Sequence, residues 1–251
     1  VPAGAVVMNR MDFNTLMAIG IHDMKGSLSE VISTISELVD PVTGECRCER
    51  DRLIHLQYEA QRVNDTLVQL LTLYRRNEGF YTPRFVPTTV YDLLEEQALR
   101  QKPLMDYRGV VCEIDCDEDL TWPLDAELMG GLLENVITNT LRYAGGHILL
   151  TAARDGDWLR IAVEDDGPGF PESMLGRRDA DQQGVLERSE GRTGLGLYFC
   201  AVVAQLHGRP FPREADEDAP ASEPTGFVEL RNNGVLGGGA FVVRLPRIAS
   251  R

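Results

Sequence analysis

Asn135-Val136-Ile137-Thr138-Asn139-Thr140-Leu141-Arg142-Tyr143 closes a strongly apolar-periodic run that begins after Asp125. The run predicts a helix from Ala126 to Tyr143, capped by Asp125 and stopped at Gly145-Gly146. Asn135 and Asn139 are four apart, so both amides project from one helix face. Amide oxygens suit Mg2+, a hard cation that keeps several waters and bridges phosphates. Arg142, three residues beyond Asn139, can reach a phosphate, and Tyr143 can lie against a base.

Three further motifs follow in order. Asp165-Asp166-Gly167-Pro168-Gly169-Phe170 comes directly after a run that reads as a strand. Its glycines allow a tight turn that brings backbone close to a ligand, and the Asp165 carboxylate can accept a hydrogen bond from an adenine amino group. Gly191-Arg192-Thr193-Gly194-Leu195-Gly196-Leu197 opens a helix that runs to about His207, and free N–H groups at a helix start make an anion site. Gly237-Gly238-Gly239-Ala240-Phe241 precedes the last strand. Each motif alone is ordinary. Their joint occurrence on a helix, a post-strand loop and a pre-helix loop points to a nucleotide.

The remaining elements mix strands and helices without strict βαβ alternation. Val110 to Ile114, His147 to Ala153, Leu159 to Val163, Gly226 to Leu230 and Ala240 to Leu245 read as strands, and a helix starts near Thr89. This is the pattern of an α+β sandwich with helices on one sheet face. Pro171 to Thr193 and Gly208 to Gly226 read as loops.

Upstream, two long periodic runs flank a turn at Asp40-Pro41-Val42-Thr43-Gly44. The first carries Leu16, Ile19, Leu28, Ile32, Ile35 and Val39, and the second Leu53, Leu56, Val63, Leu67, Leu70 and Tyr74. Two such helices make an antiparallel hairpin. A hairpin alone has little to bury its apolar surface against, so a homodimer closing a four-helix bundle is expected. The boundary between residues 8–80 (hairpin) and 81–251 (nucleotide-binding part) falls where Asn77-Glu78-Gly79-Phe80 breaks the period. The first helix carries Ile21-His22-Asp23-Met24-Lys25-Gly26-Ser27-Leu28. If Asp23 accepts the Nδ1 proton of His22, Nε2 is left as an outward nucleophile.

The chain has 251 residues, 43% hydrophobic and 25% charged, as in an ordinary globular protein. Its net charge of -14 argues against nucleic acid and anionic membranes as main partners. No apolar run is long enough to span a membrane, and no basic-then-apolar signal opens the chain, so a cytoplasmic location is expected. Cys46, Cys48, Cys112, Cys116 and Cys200 lack metal-knuckle spacing and read as reduced thiols.

Together these motifs resemble the transmitter module of bacterial two-component sensor histidine kinases, over roughly residues 10 to 247. His22 to Leu28 is similar to the family's phospho-acceptor box and residues 135–143 to its N box. Residues 165–170 and 191–197 are similar to its two glycine boxes. The resemblance implies a dimeric helical hairpin followed by a GHKL-type ATP-binding α/β sandwich, the fold shared with gyrase, heat-shock chaperones and mismatch-repair ATPases. It implies transfer of the ATP γ-phosphate to His22 and then to an aspartate of a response regulator receiver domain. By the same resemblance His22 is the nucleophile and Asp23 its general base. Asn139 holds Mg2+ with Asn135 near the metal, and Arg142 stands where Lys is usual. Tyr143 stacks near the adenine, and Asp165 reads it in a pocket shaped by Gly167 and Gly169. Arg192, Thr193, Gly194, Leu195 and Gly196 close over the phosphates, which makes Pro171 to Thr193 a lid.

In the related ATPases a Glu stands four residues before the metal-binding Asn and activates water. Asn135 occupies that position here, and an amide cannot take a proton from water. Fast hydrolysis is therefore disfavoured, and Glu134 is expected to face away. The acceptor box departs from the family at Gly26, where Thr or Asn is usual, and at Ser27, where Pro is usual. Gly26 cannot orient a water, so weak regulator-phosphatase activity is expected. It also costs up to about 1 kcal/mol of helix stability. The lid lacks the family's Phe-rich box. Nothing resembles a sensor, so the input is expected from an N-terminal region or a partner. Two alternatives stay open: a catalytically weak dimeric phosphotransfer or scaffold protein with a vestigial ATP-binding domain, and a plain ATPase of the same superfamily.

Overall fold

The computed structural model of the chain describes residues 13–38, 50–77, 82–175, 195–208 and 225–247. Residues 39–49, 176–194 and 209–224 lie outside these, and with them Cys46, Cys48, Arg192, Thr193 and Gly194. The described residues fall into two units.

The first unit is the pair α1 (Phe13–Leu38) and α2 (Arg50–Asn77). Gly20 lets the helices approach closely, since a Cβ there would stand 2.5 Å from Leu70 Cδ1. Leu70 and Leu73 are buried, as are the polar Ser27, Thr34, Glu59 and Gln69. Arg62 ion-pairs with the buried Glu59 over 2.9 Å. A stripe of large apolar residues stays exposed: Ile21, Leu28, Ile32 and Ile35 on α1, and Leu67, Leu71 and Tyr74 on α2. Their three-, four- and seven-residue spacings put them on continuous helix faces. Among the described residues no helix is long and apolar enough to cross a membrane.

The second unit begins with β1 (Val86–Thr89), α3 (Val90–Arg108), β2 (Val111–Cys116), β3 (Thr121–Leu124) and α4 (Ala126–Thr140). It continues with β4 (His147–Asp155), β5 (Trp158–Asp165), a 3-10 turn (Glu172–Met174), α5 (Leu195–Leu206), β6 (Phe227–Asn232) and β7 (Gly239–Pro246). The main sheet has the order β2-β4-β5-β7-β6, with β2 parallel to β4 and the other pairs antiparallel. The register places Ile148, Leu150 and Ala152 of β4 on one face with Leu159, Ile161 and Val163 of β5, Phe241, Val243 and Leu245 of β7, and Val228 and Leu230 of β6. All of these are buried, as are Leu94, Leu132, Leu133, Ile137, Val202 and Val203 of the helices. The opposite face carries the ion pairs Arg244–Asp155 at 2.7 Å and Arg160–Glu164 at 3.5 Å. This is the expected α+β sandwich, with helices on one face of a mixed sheet.

Two elements were not expected. β1 and β3 pair antiparallel with Pro87 opposite Pro123. A proline in each four-residue strand makes the sequence look like loop, because proline gives no ladder donor. The second difference is at the end of α4. The helix stops at Thr140, not Tyr143, and Arg142 and Tyr143 lie in the following turn. There Arg142 N bonds back to Asn139 O (3.1 Å) and Tyr143 N to Thr140 O (3.0 Å), the tightened three-residue pattern of a helix end. Arg108 Nη1 satisfies the Leu141 carbonyl from α3 over 2.7 Å.

Asp125 does cap α4, accepting from Leu128 N at 3.1 Å through Oδ1. Its Oδ2 accepts from Arg84 N at 2.9 Å, and its own N–H donates to His207 Nε2 at 3.1 Å. The His207 ring packs edge-on to Phe85, with centroids 5.5 Å apart. His207 Nδ1 lies 2.8 Å from Val203 O, so the neutral ring carries its proton on Nδ1 and accepts at Nε2. Burial pushes its pKa below the ordinary 6.5, outweighing the opposing effects of the Val203 carbonyl and Asp125. The unfolded chain therefore binds a proton near pH 6.5 that the folded chain resists. This unit is expected to keep its full stability above that pH and to lose up to about 1.4 kcal/mol per pH unit below it. Urea unfolding at pH 7.5, 6.5 and 5.5 tests this, and His207→Gln should flatten the profile. An equal slope in both proteins would refute it.

Candidate nucleotide site

The candidate site is assembled where β5 ends. Asp165, its last residue, is buried, and Oδ1 accepts from Gly167 N at 2.7 Å and from Gly239 N at 3.3 Å. Gly238 N donates to the Asp165 carbonyl at 3.0 Å. The fourth motif, between β6 and β7, is thus brought onto the second. Two glycines are needed for this approach. A Cβ on Gly167 would collide with the Tyr143 carbonyl and stand 2.8 Å from Asp165 Oδ1. One on Gly238 would stand 2.5 Å from Asp165 O and 2.6 Å from Gly167 N. Gly169 adopts φ 78°, in the left-handed region.

With Oδ1 held by two backbone N–H groups, Oδ2 is the end available to an incoming amino group. A Cβ at Gly239 would stand only 3.1 Å from Oδ2, so the glycine keeps that side open. A buried carboxylate in a cradle that side chains would fill fits recognition of an exocyclic amine. The side expected to meet metal and phosphate lies on α4. Asn139 is exposed, and its Nδ2 donates to Asn135 O at 2.8 Å and Asn135 Oδ1 at 3.3 Å. Its oxygen is therefore the end that faces away from the helix, which fits a hard cation shared with phosphates. Among the described residues no cluster of three or more acidic, His or Cys side chains offers an all-protein metal site. Arg142 is half-buried and Tyr143 is 37% exposed. Leu195 and Gly196 open α5. Glu134 lies 3.5 Å from Gln101 Nε2 of α3, turned from the Asn135 amide.

Sequence reasoning missed two residues that hold these loops. Asp166 Oδ1 accepts from Gly145 N (2.7 Å), Gly146 N (3.0 Å) and His147 N (3.1 Å), tying the post-β5 loop to the segment after α4. Burial alone would raise its pKa. The three backbone donors outweigh that and hold it down at about 2. Asn232 Oδ1 accepts from Phe170 N at 2.7 Å and its Nδ2 donates to Phe170 O at 2.8 Å, so one side chain imitates a strand partner. Asp166 has a sequence signal, a carboxylate inside a glycine turn. Asn232 has none beyond a turn-forming Asn-Asn-Gly.

His22 is exposed on α1 in the other unit, while the side chain of Asp23 lies outside the described ones.

Residues 124–247 match the model of the histidine kinase-, DNA gyrase B- and HSP90-like ATPases. The chain is 33% identical over 165 residues to the alginate biosynthesis sensor protein KinB of Pseudomonas aeruginosa, covering 64% of this chain and 27% of that protein. It is 23% identical over 233 residues to the sensor protein SrrB of Staphylococcus aureus, covering 90% of this chain and 36% of that one. It therefore spans about a third of the length of these relatives. The Acinetobacter baumannii histidine kinase AdeS shares the fold, with a TM-score of 0.57 at 14% identity over 92% of this chain and 96% of that one.

Proposed function

Because this chain belongs to the bacterial sensor histidine kinases, with its ATPase domain at residues 124–247, we propose that it phosphorylates His22 from ATP and passes the phosphoryl group to an aspartate of a response regulator. The observation that carries this reading is the buried Asp165 in its glycine cradle, in the same unit as the Asn135–Asn139 amide pair. Asp165 Oδ2 accepts from the adenine amino group, Tyr143 lies against the base, and Arg142 draws the phosphates. Asn139 would hold Mg2+ by its amide oxygen, with Asn135 beside it, and the cation would supply charge neutralisation to the phosphates. Arg192, Thr193, Gly194, Leu195 and Gly196 complete the phosphate side.

His22 Nε2 attacks the γ-phosphorus, the bond to the β–γ bridging oxygen breaks, and ADP leaves with that electron pair. Asp23 holds the Nδ1 proton and orients the ring. Asn135 takes no proton from water, and Glu134 is turned to Gln101, so the γ-phosphate is kept for His22 rather than hydrolysed. The exposed stripe of Ile21, Leu28, Ile32 and Ile35 supports a homodimer through the hairpin. With ATP as donor, the working compartment is the cytoplasm.

Incubation with γ-labelled ATP and Mg2+, followed by denaturing gels, tests the reading. Base-stable, acid-labile label is expected on the wild type and none on His22→Gln. Absence of label despite nucleotide binding would overturn it. Gly26, one turn beyond His22, is exposed and a Cβ there would meet nothing within 4 Å. Dephosphorylation of the regulator is therefore weak, and Gly26→Thr should raise it several-fold in a phosphate-release assay. An unchanged rate would refute that assignment.

A further inference from the structure

Beneath the amide pair lies a thiol to which the phosphoryl-transfer reading gives no role. Asn135 Nδ2 donates to Cys200 Sγ across 3.2 Å. The thiol of Cys200 is fully buried on α5, and burial pushes its pKa up to about 12, so it stays protonated. Its S–H is directed to Leu132 O at 3.9 Å, which leaves sulfur lone pairs for the Asn135 donor. Gly196 admits the arrangement, since a Cβ there would stand 2.6 Å from Asn135 Oδ1.

A primary amide has one donor end and one acceptor end. With the donor end of Asn135 committed to sulfur, its Oδ1 is turned to receive Asn139 Nδ2 at 3.3 Å. Asn139 Nδ2 is held a second time by Asn135 O at 2.8 Å. The donor end of Asn139 is thereby drawn inward, and its Oδ1 is presented outward. Only that orientation can ligate a hard cation, because an amide NH2 has no lone pair to give. If the Asn135 amide turned over, two NH2 groups would face each other and the outward presentation of the Asn139 oxygen would lose one of its two supports.

We propose that Cys200 is a positioning residue for the metal. By accepting from Asn135 it fixes the direction of both amides and so aims the Asn139 oxygen at the Mg2+ that accompanies the nucleotide. This rests on the kinase reading above. It also differs from the sequence expectation for Asn135, which here acts through Asn139.

The test is equilibrium binding of a fluorescent ATP analogue to the full chain, in excess Mg2+ and in EDTA. The readout is the factor by which Mg2+ tightens binding. Cys200→Val removes the acceptor and adds about one methyl, whereas Cys200→Ser keeps an acceptor. Val is expected to cut the Mg2+ factor about three- to tenfold, the worth of one hydrogen bond, with metal-free affinity changed less than about twofold. Ser is expected to hold the factor near wild type. If thermal melting shows that the Val variant does not fold, Cys200→Ala replaces it in the comparison with Ser. An unchanged factor in Val, an equal loss in both media, or a Ser variant as poor as Val would overturn the proposal alone. A wild type that binds the analogue without any gain from Mg2+ overturns it too. A wild type that binds no analogue in either medium overturns the kinase reading and this inference together.

Discussion

Gly167→Ala is expected to weaken ATP binding about a hundredfold while the chain still folds. The added methyl would collide with the Tyr143 carbonyl and crowd Asp165 Oδ1. The first is backbone in the turn after α4 and cannot rotate away. The second already accepts from Gly167 N and Gly239 N, so it moves only by breaking those bonds. Overpacking of this kind costs about 1–3 kcal/mol of stability. The larger loss is expected on the ligand, because the carboxylate proposed to read the base and the Tyr143 backbone are displaced together. A hydrogen bond to a charged group contributes about 1.5–3 kcal/mol, or ten- to a hundredfold and more in affinity. Gly131→Ala is the control on the same unit. Its Cβ would meet Phe199 at an ordinary 3.5 Å, and alanine favours helix. Titration with ATP and thermal melting of both variants give the comparison. Near-wild-type affinity in Gly167→Ala would show that the cradle is not the base site.

Asp125→Ala is expected to destabilise the ATP-binding unit by about 2.5–4 kcal/mol. Loss of the helix cap costs about 1 kcal/mol. The buried carboxylate also accepts from Arg84 N, and losing a hydrogen bond to a charged group costs about 1.5–3 kcal/mol. Asp125→Asn keeps the capping oxygen and should lose about 1 kcal/mol or less. The bond from Asp125 N to His207 Nε2 is backbone and survives both changes. Against a typical domain stability of about 5–15 kcal/mol the alanine loss is large, and urea midpoints at pH 7.5 measure it. A loss under about 1 kcal/mol would mean that water replaces the carboxylate freely. The acid behaviour of His207 is separable from that of Asp166. The first acts below pH 6.5, whereas Asp166, ordinarily near 3.8 and held at about 2, acts only below about pH 4.

Local chemistry let the sequence determine much of this protein. The 3.6-residue period of residues 126–140 and the period-two alternation of β4 and β5 are properties of short segments, as is the cap at Asp125. The glycine turns after β5 and before β7 mark where backbone must approach something. Tertiary structure decided what that something is. That Gly238 and Gly239 meet Asp165, more than seventy residues away in sequence, follows only from the pairing of β5 with β7. Asn232 serves Phe170, and Cys200 serves Asn135, because strand order and helix packing make them neighbours. The proline-bearing β1 and β3 are strands only because each finds the other. Backbone periodicity is encoded within a window of a few residues, whereas the partner of a polar side chain is fixed by which distant segment the sheet lays beside it.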